Sequence, residues 1–471
     1  MITAPAIGEL GARLRALGQA PLAAHLEALP PAAAARLAER LHALPLEHLP
    51  AWVEQACSLP AAPDPHSLEP PPAVPTDGGP DAARFRAQGA ALIAAGRVAA
   101  FVVAGGQGTR LGHDGPKGEF PATPLTGRSL FAHFAAQLRA TRDRAGVAVP
   151  WYIMTSPDND ARTRSFFLEN KYFGLDPADV FLFPQGELPT LDPAGRLLLA
   201  DEDRPATHPN GHGGALMALR DSGALDDLVR RGIEHLSYFQ VDNPATRVLD
   251  PLFIGLHAGA PGSSAEMAAK VVAKTDPAER VGVFARRAGR LEVIEYSDLP
   301  ADLAARRSAD GGLAFSAANV AVHLLSVDFL ARVTADAEHL PLHRALKTAP
   351  VWDAATRRIT EPSTPNAIKL ERFVFDALGW AAAPLLLQVD RVEAFAPIKN
   401  AEGVDSPATS VALQIERAAR WLEAAGLSVP RRADGAPDCT LEIRPETAQD
   451  AEELAGASLP DAIRPGEAWL L

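Results

Sequence analysis

Two basic residues in a glycine-rich loop give the first chemical lead. The segment Ala104-Gly105-Gly106-Gln107-Gly108-Thr109-Arg110-Leu111-Gly112-His113-Asp114-Gly115-Pro116-Lys117-Gly118 follows a short apolar run, Val98 to Val103. Glycines carry no Cβ, so backbone N–H groups can approach an anion closely, and Arg110 and Lys117 bring two positive charges to the same loop. These are the parts that hold a polyphosphate. Two common phosphate loops are excluded by spacing. Lys117 is followed by Gly118 rather than Ser or Thr, and the glycines after Gly106-Gln107-Gly108 miss the dinucleotide positions. A carboxylate follows a second apolar run: Asp242 comes after Leu236 to Val241, at a strand's carboxyl end, where open α/β sheets bind ligands. Such a hard ligand suits Mg2+, which takes one or two protein carboxylates and completes its shell with phosphate oxygens. The alternative is an Asp-Asn turn that only closes the strand.

Lysine is scarce. Of the 45 basic residues seven are lysine, at 117, 171, 270, 274, 347, 369 and 399, and the other 38 are arginine. A lysine kept against that background raises the odds that a compact point charge is needed there rather than a planar fork.

The elements that must position these groups follow from periodicity. Leu10, Leu14 and Leu17, then Leu22, Leu26 and Leu29, then Leu37, Leu41 and Leu44 each form an i, i+4, i+7 stripe, separated by Pro21, Pro30-Pro31 and Pro45. They predict a helical N-terminal segment over 1–62. A proline-rich stretch over 63–84, part of a run beginning at Pro60, reads as an extended linker or a segment wrapped over a surface. From residue 85 to 404 apolar strands alternate with helices, the pattern of an α/β catalytic domain with a mostly parallel or mixed sheet. Strands are predicted at 98–104, 151–154, 180–183, 236–241, 269–273, 291–296, 320–324 and 389–395, with helices over 82–95, 129–142 and 410–425. Residues 405–471 form a short C-terminal cap with a possible strand at 439–443.

Composition narrows the function. The chain has 471 residues, 47% hydrophobic and 22% charged, with a net charge of −13. That acidity argues against a nucleic-acid-binding surface. No run of 18 apolar residues predicts a membrane span, and Met1-Ile2-Thr3-Ala4-Pro5 lacks the basic start of a signal peptide. Cys57 and Cys439, far apart, exclude a cysteine zinc site or disulfide scaffold and suggest a reducing compartment, so the cytoplasm is expected. The histidines other than His212 show no metal-ligand spacing.

The loop from Gly106 to Gly118 resembles the Gly-x-Gly-Thr-Arg-Leu-Gly…Pro-Lys-Gly signature of the UDP-sugar pyrophosphorylase family. The resemblance continues in order through Ile153 to Ser156, Phe183 to Gly186, Pro209 to Gly214, Gln240 to Asn243, Lys270 to Thr275, Val293 to Ser297, Phe315 to Asn319, Ile368 to Asp376 and Pro397 to Ala401. It implies a Rossmann-like nucleotide-binding sheet of glycosyltransferase-A type, flanked by helices. The implied reaction joins UTP and a sugar 1-phosphate into a UDP-sugar and pyrophosphate, with Mg2+ as cofactor. Ala104, Gly105 and Gly106 would lie along the nucleotide. Arg110 and Lys117 would hold the β- and γ-phosphates, and Lys369 and Lys399 would serve the phosphates, Lys399 towards the sugar phosphate. Gln185 would read uracil, and Gly211 would let the backbone pass close to the base. Glu295 and Asn319 would bond the sugar, with Gly282 as a backbone contact, and Tyr296 would line the pocket or belong to the core. Asp242 would take the metal.

The sugar is left open. Pro209-Asn210-Gly211-His212-Gly213-Gly214 carries histidine where N-acetylglucosamine enzymes of the family carry asparagine, which tilts the reading towards glucose 1-phosphate, unless His212 is only a structural hydrogen-bonder. Glu295-Tyr296-Ser297 and Ser316 to Asn319 look like the N-acetylglucosamine version, so N-acetylglucosamine 1-phosphate is the alternative. A catalytically silent nucleotide-sugar-binding regulator is the reading of a different class, and protein partners are not legible.

Overall fold

Prolines divide the N-terminal residues into helices α1 (Ala4–Ala16), α2 (Ala20–Ala28), α3 (Pro31–His42) and α4 (Leu49–Cys57). In α2, α3 and α4 a proline occupies the first turn, where its missing N–H has no intrahelical partner to lose. The structure, a computed structural model, describes residues 4–58, 64–336, 339–354 and 356–471. Met1 to Thr3, and Pro60 and Pro63 of the proline run, lie outside the described residues.

The leucine stripes do not pack only on one another. Leu10, Leu14, Leu26, Leu37 and Leu41 share one core with Leu188, Leu191, Leu197, Leu199, Ile368 and Leu370. Gln19, 2% exposed, stitches the same region: its Nε2 donates to the Gly195 carbonyl at 3.0 Å and its Oε1 accepts from Leu197 N at 2.8 Å. Within this unit Glu187–Pro189 pairs with Thr207–Pro209, and His343–Lys347 pairs with Ala367–Glu371, both antiparallel. The contacts divide the chain into two units. The first joins the N-terminal helices to Gln185–Met217 and Leu340–Val374, and the second takes Asp64–Pro184, Ala218–His339 and Phe375–Leu471. The sequence boundaries at 62, 84 and 404 differ from this division because a leucine stripe specifies a buried face and not the segment that covers it.

The second unit is built on a ten-stranded mixed sheet. Its strands are β1 (Leu68–Glu69), β2 (Val98–Val103), β3 (Trp151–Thr155), β4 (Val180–Pro184), β5 (His235–Gln240), β6 (Met267–Ala273), β7 (Val283–Arg287), β8 (Arg290–Ile294), β9 (Ala317–Ser326) and β10 (Leu385–Val389). The order is β1-β7-β9-β5-β2-β3-β4, with β8 on β7, β6 on β9 and β10 on β6. β2 is parallel to both β3 and β5, and β10 to β6; β9 is antiparallel to β5 and β6. Hence β2, β3, β5, β6 and β10 all point the same way and end on one edge. Val98 to Val102 are buried on both faces, as an uninterrupted apolar run requires. Helices α5 (Ala82–Ala94), α6 (Leu130–Ala145) and α7 (Pro251–Gly259) add Phe85, Phe134 and Phe253 to this core.

Part of the proline-rich stretch is wrapped on the sheet. β1 pairs with β7, and Val74 bonds Leu386 O and Gln388 N across β10 at 2.8 and 2.9 Å. The predicted strand at 389–395 is corrected: β10 ends at Val389, and Asp390 caps a short helix, Arg391–Ala394, by accepting from Val392 N. The capping side chain overrides the apolar pattern of Val392 and Phe395. In the C-terminal cap, α8 (Pro407–Ala424) begins with a capping box between Ser406 and Thr409. The cap is tied to the body of its unit by Glu442, whose carboxylate accepts from Leu125 N, Thr126 N and Thr126 Oγ1 at 2.7, 2.8 and 2.5 Å.

Leu37 is fully buried in the first unit's core. Leu37→Ala is expected to cost about 2–5 kcal/mol, and hydrogen exchange should quicken in residues 188–199 and 368–370 as well as in the helices. Acceleration confined to the helices would contradict a shared core.

Candidate active site

At the end of β2 the chain turns back on itself. Gly108 N donates to Gly115 O at 2.7 Å and Lys117 N to Gly106 O at 3.0 Å, so Lys117 returns beside Gly106. Ala104 anchors the start of the loop, its N–H on Met154 O at 2.8 Å and its carbonyl taken by Asn159 Nδ2 at 3.1 Å. A Cβ added to Gly106 would meet only the Lys117 stem, at 3.9 Å. The fold therefore has no need of glycine at that position, and the space above the loop is open to a ligand. Arg110 is exposed and has no ion pair or hydrogen bond among the described residues.

β5 ends next to β2, and Val241 N donates to Val103 O at 3.1 Å. This register brings Asp242 to the loop: Lys117 Nζ lies 3.4 Å from Asp242 Oδ2, both side chains mostly covered. The neighbouring Asn243, 3% exposed, holds the chain that leads to Lys399. Its Nδ2 donates to Ala394 O at 2.7 Å and its Oδ1 accepts from Ala396 N at 2.9 Å. Ile398 N then bonds the Asp242 carbonyl at 2.8 Å. Lys399 N and Asn400 N both donate to the carbonyl of Asp405, at 2.6 and 3.1 Å, while Lys399 Nζ stands 3.9 Å from the Asp405 carboxylate and over the Phe395 ring. Burial pushes the Asp405 carboxyl up, Lys399 opposes that, and the charge of Asp242 adds to it. The loop, Asp242 and Lys399 thus form one cluster of two lysines and two carboxylates. Among the described residues no three His, Cys, Asp or Glu side chains form a metal cage. Asp242 with one further carboxylate fits a cation whose remaining ligands are substrate oxygens and water, as Mg2+ prefers.

Three more residues meet at neighbouring strand ends of the same unit. Val283 of β7 pairs with Ile294 of β8 and Ala318 of β9, so Gly282, Glu295 and Asn319 fall side by side. Asn319 N donates to Gly282 O at 2.9 Å, and a Cβ on Gly282 would come within 3.2 Å of Glu295 Oε1. The Asn319 Oδ1 accepts from Ala321 N at 2.9 Å, which aims its amide NH2 elsewhere. Tyr296 is 49% exposed and does not belong to the core.

The first unit carries the rest. Gln185 is 8% exposed, yet its side-chain amide makes no hydrogen bond among the described residues. Gly211 has φ +82°, and a Cβ there would strike the backbone of Arg372. The chain's own close approach therefore requires this glycine, whatever lies over it. His212 Nδ1 accepts from Val374 N at 3.2 Å, and its ring stacks on Phe373 with centroids 5.2 Å apart. His208 is buried between Thr190 Oγ1, 3.0 Å from its Nδ1, and the Leu370 backbone, 3.0 Å from its Nε2, and so fixes the strand that carries Lys369. Lys369 itself is half-buried, without an ion pair among the described residues.

A family model described as UTP–glucose-1-phosphate uridylyltransferase matches residues 83–419. The chain belongs to this family. It is similar to a probable UDP-N-acetylglucosamine pyrophosphorylase from Schizosaccharomyces pombe, 38% identical over 379 residues that cover 77% of this chain and 78% of that protein. The UDP-N-acetylglucosamine pyrophosphorylase of Saccharomyces cerevisiae is 38% identical over 352 residues, 72% of this chain and 73% of the yeast protein. Among solved structures, the uridine diphosphate N-acetylglucosamine pyrophosphorylase from Trypanosoma brucei in complex with inhibitor superposes with a TM-score of 0.79 at 28% identity, covering 97% of this chain and 95% of that one. The family are UDP-sugar pyrophosphorylases, nucleotidyltransferases, and the mixed α/β fold is theirs. No helix among the described residues is long and apolar enough to cross a membrane.

Asn243, Asp405 and His208 were not singled out from sequence. Asn243 lies inside the recognised Gln240 to Asn243 motif and was readable there; Asp405 lies just past the boundary drawn at 404, and His208 carries no local signal.

Two tests follow from this geometry. Asn243→Ala should lower kcat/KM about 100-fold by freeing the Lys399 segment, with the circular dichroism spectrum unchanged; wild-type kinetics would remove the clamp from the site. Burial lowers the pKa of both His208 and His212 from 6.5 to about 4. The unfolded chain takes up these protons near 6.5 and the folded chain does not until about 4, so the stability is complete above 6.5 and falls as pH drops towards 4. Urea midpoints should decline across that window, and His208→Gln should flatten the slope; equal slopes would mean that His208 is not buried neutral.

Proposed function

We propose that this chain transfers a uridylyl group from UTP to N-acetylglucosamine 1-phosphate and releases pyrophosphate. The observation that carries the choice of sugar is the 38% identity to two fungal proteins named as UDP-N-acetylglucosamine pyrophosphorylases. The tilt towards glucose rested on His212 as a sugar contact. The Val374 N–H on its Nδ1 and the Phe373 ring stacked on it support the alternative reading of that histidine as a structural hydrogen-bonder.

In this reading an oxygen of the sugar phosphate attacks the α-phosphorus of UTP, and the bond from that phosphorus to the bridging oxygen of pyrophosphate breaks, its electron pair leaving with pyrophosphate. No protein nucleophile is involved, so the residues align two anions and offset their repulsion. Arg110 and Lys117 take the β- and γ-phosphates and stabilise the leaving group. Lys399 and Lys369 bind phosphate oxygens, Lys399 on the sugar phosphate. Ala104, Gly105 and Gly106 lie along the nucleotide, and the unspent amide of Gln185 complements the imide edge of uracil. Glu295 and Asn319 bond the sugar beside the Gly282 backbone, and a sugar that lacks the matching hydroxyls or acetamido group would forgo those bonds at a cost in affinity. Asp242 would hold Mg2+, which supplies neutralisation of phosphate charge when bound. The two thiols, exposed Cys57 and buried Cys439, suit a reducing cytoplasm.

Pyrophosphate release with UTP and Mg2+ is expected to be fastest with N-acetylglucosamine 1-phosphate, against glucose 1-phosphate and galactose 1-phosphate. A preference for glucose 1-phosphate would restore His212 to the sugar site, and His212→Asn would then shift the ratio of kcat/KM values towards the acetylated sugar. Release with none of the three from protein that binds UTP would favour a silent binder. Lys117→Ala should lower kcat about 100-fold or more while UDP-sugar affinity changes little; equal losses in both would contradict its leaving-group role.

A further inference from the structure

Two cations are buried among the described residues, Lys270 and Lys274, at 5% and 3% exposure. They differ in what satisfies them. Lys270 Nζ is 2.6 Å from Asp250 Oδ2 and lies over the Phe253 ring, a complete structural ion pair. Lys274 has no carboxylate, carbonyl or ring partner for its ammonium among the described residues. Its stem is covered, while its Nζ is not one of the fully buried, unpartnered side-chain atoms, so the residue presents a cation without a counter-charge at an opening. A charge that the fold leaves unspent is available to an anion that arrives there.

The position of Lys274 says which. It follows β6 directly, and its N–H extends the ladder with β9 by donating to Ser316 O at 2.7 Å. β6 points the same way as β2, β5 and β10, so Lys274 stands on the carboxyl edge of the sheet that also carries the glycine-rich loop, Asp242 and the segment from β10 to Lys399. Ser316 is three residues from Asn319 on the opposing strand. We propose that Lys274 is a further substrate-binding cation of this site, whose missing counter-charge is a phosphate oxygen of the bound ligands, from the triphosphate or from the sugar phosphate. This rests on the uridylyltransferase reading, in which those are the anions that arrive at that edge.

Calorimetric titration of the full chain decides it, with inorganic pyrophosphate, UTP, N-acetylglucosamine 1-phosphate and uridine as separate ligands, on the wild type, Lys274→Met and Lys274→Gln. Both variants should bind at least one phosphate ligand about tenfold or more weakly, bind uridine unchanged, and melt no lower than the wild type. Weakening with pyrophosphate and UTP assigns the triphosphate as the source, and weakening with the sugar phosphate alone assigns the sugar phosphate. Unchanged affinity for all three phosphate ligands overturns the proposal. So does a fall in Tm with uridine weakened as much as the rest, which would make Lys274 a residue of the fold. A wild type that binds no UTP would instead overturn the uridylyltransferase reading itself.

Discussion

The parallel pairing of β2 with β5 is the constraint on which the second unit's chemistry depends. Val103 lies opposite Gln240, so the glycine-rich loop and Asp242 leave the sheet at the same level and side by side. A shift of one residue would turn Asp242 to the other face of the sheet, away from Lys117. Ala99 to Val102 and Leu236 to Phe239 are covered on both faces, so the paired strands run through the core and carry the loop and Asp242 on a rigid support. The placement of Lys117 beside Asp242 therefore depends on apolar side chains in the sheet as well as on the polar residues themselves.

A second layer of control is polar and works through the main chain. Asn243 spends its side-chain oxygen on Ala396 N and its amide on Ala394 O, while its neighbour Asp242 gives its carbonyl to Ile398 N. Two adjacent residues thus fix a segment about 150 positions further along, and do so with atoms that cannot adapt. The Asp405 carbonyl, with two N–H donors from Lys399 and Asn400, closes the other end of that segment. Asp405 holds φ +57°, a conformation unfavourable for a residue with a Cβ, so the turn that delivers this carbonyl is retained at a local cost.

How much of this was legible in the sequence follows from what each signal can encode. Strands buried on both faces announce themselves as apolar runs, and β2, β3 and β5 fall where those runs predict. Val389 to Phe395 misled because Val392 and Phe395 imitate a strand, whereas Asp390 in front of them begins a helix. The two-unit division was not readable, since Leu37 and Leu41 declare a buried face without naming Leu191 or Ile368 as its cover. The loop residues were legible because glycine, arginine and lysine sit close together in sequence. Asp405 was not: its importance arises from a turn and from a charge brought close only by folding. His212 was read from its type, and its actual bond, to Val374 N, depends on backbone far along the chain.

Lysines equally scarce in the sequence differ in the state of their counter-charges. Lys270 is buried on the same sheet as the site, yet it sits 2.6 Å from Asp250 in a closed pair that also feels Arg247. Lys117 and Lys399 stand 3.4 and 3.9 Å from their carboxylates, looser than a charge-assisted hydrogen bond of about 2.8 Å. At such distances the Coulomb attraction is on the order of 4 kcal/mol before desolvation is subtracted, and the net is small. A closed pair like Lys270–Asp250 would surrender too much to accept a phosphate, and a wholly unpaired cluster of cations would repel itself in the empty protein. In the proposed reading loose carboxylate partners resolve both problems: Asp242 and Asp405 would hold the lysines apart and in place until a more highly charged anion competes for them. A site that must bind two anions and release a third works best with cations that the fold positions but does not satisfy.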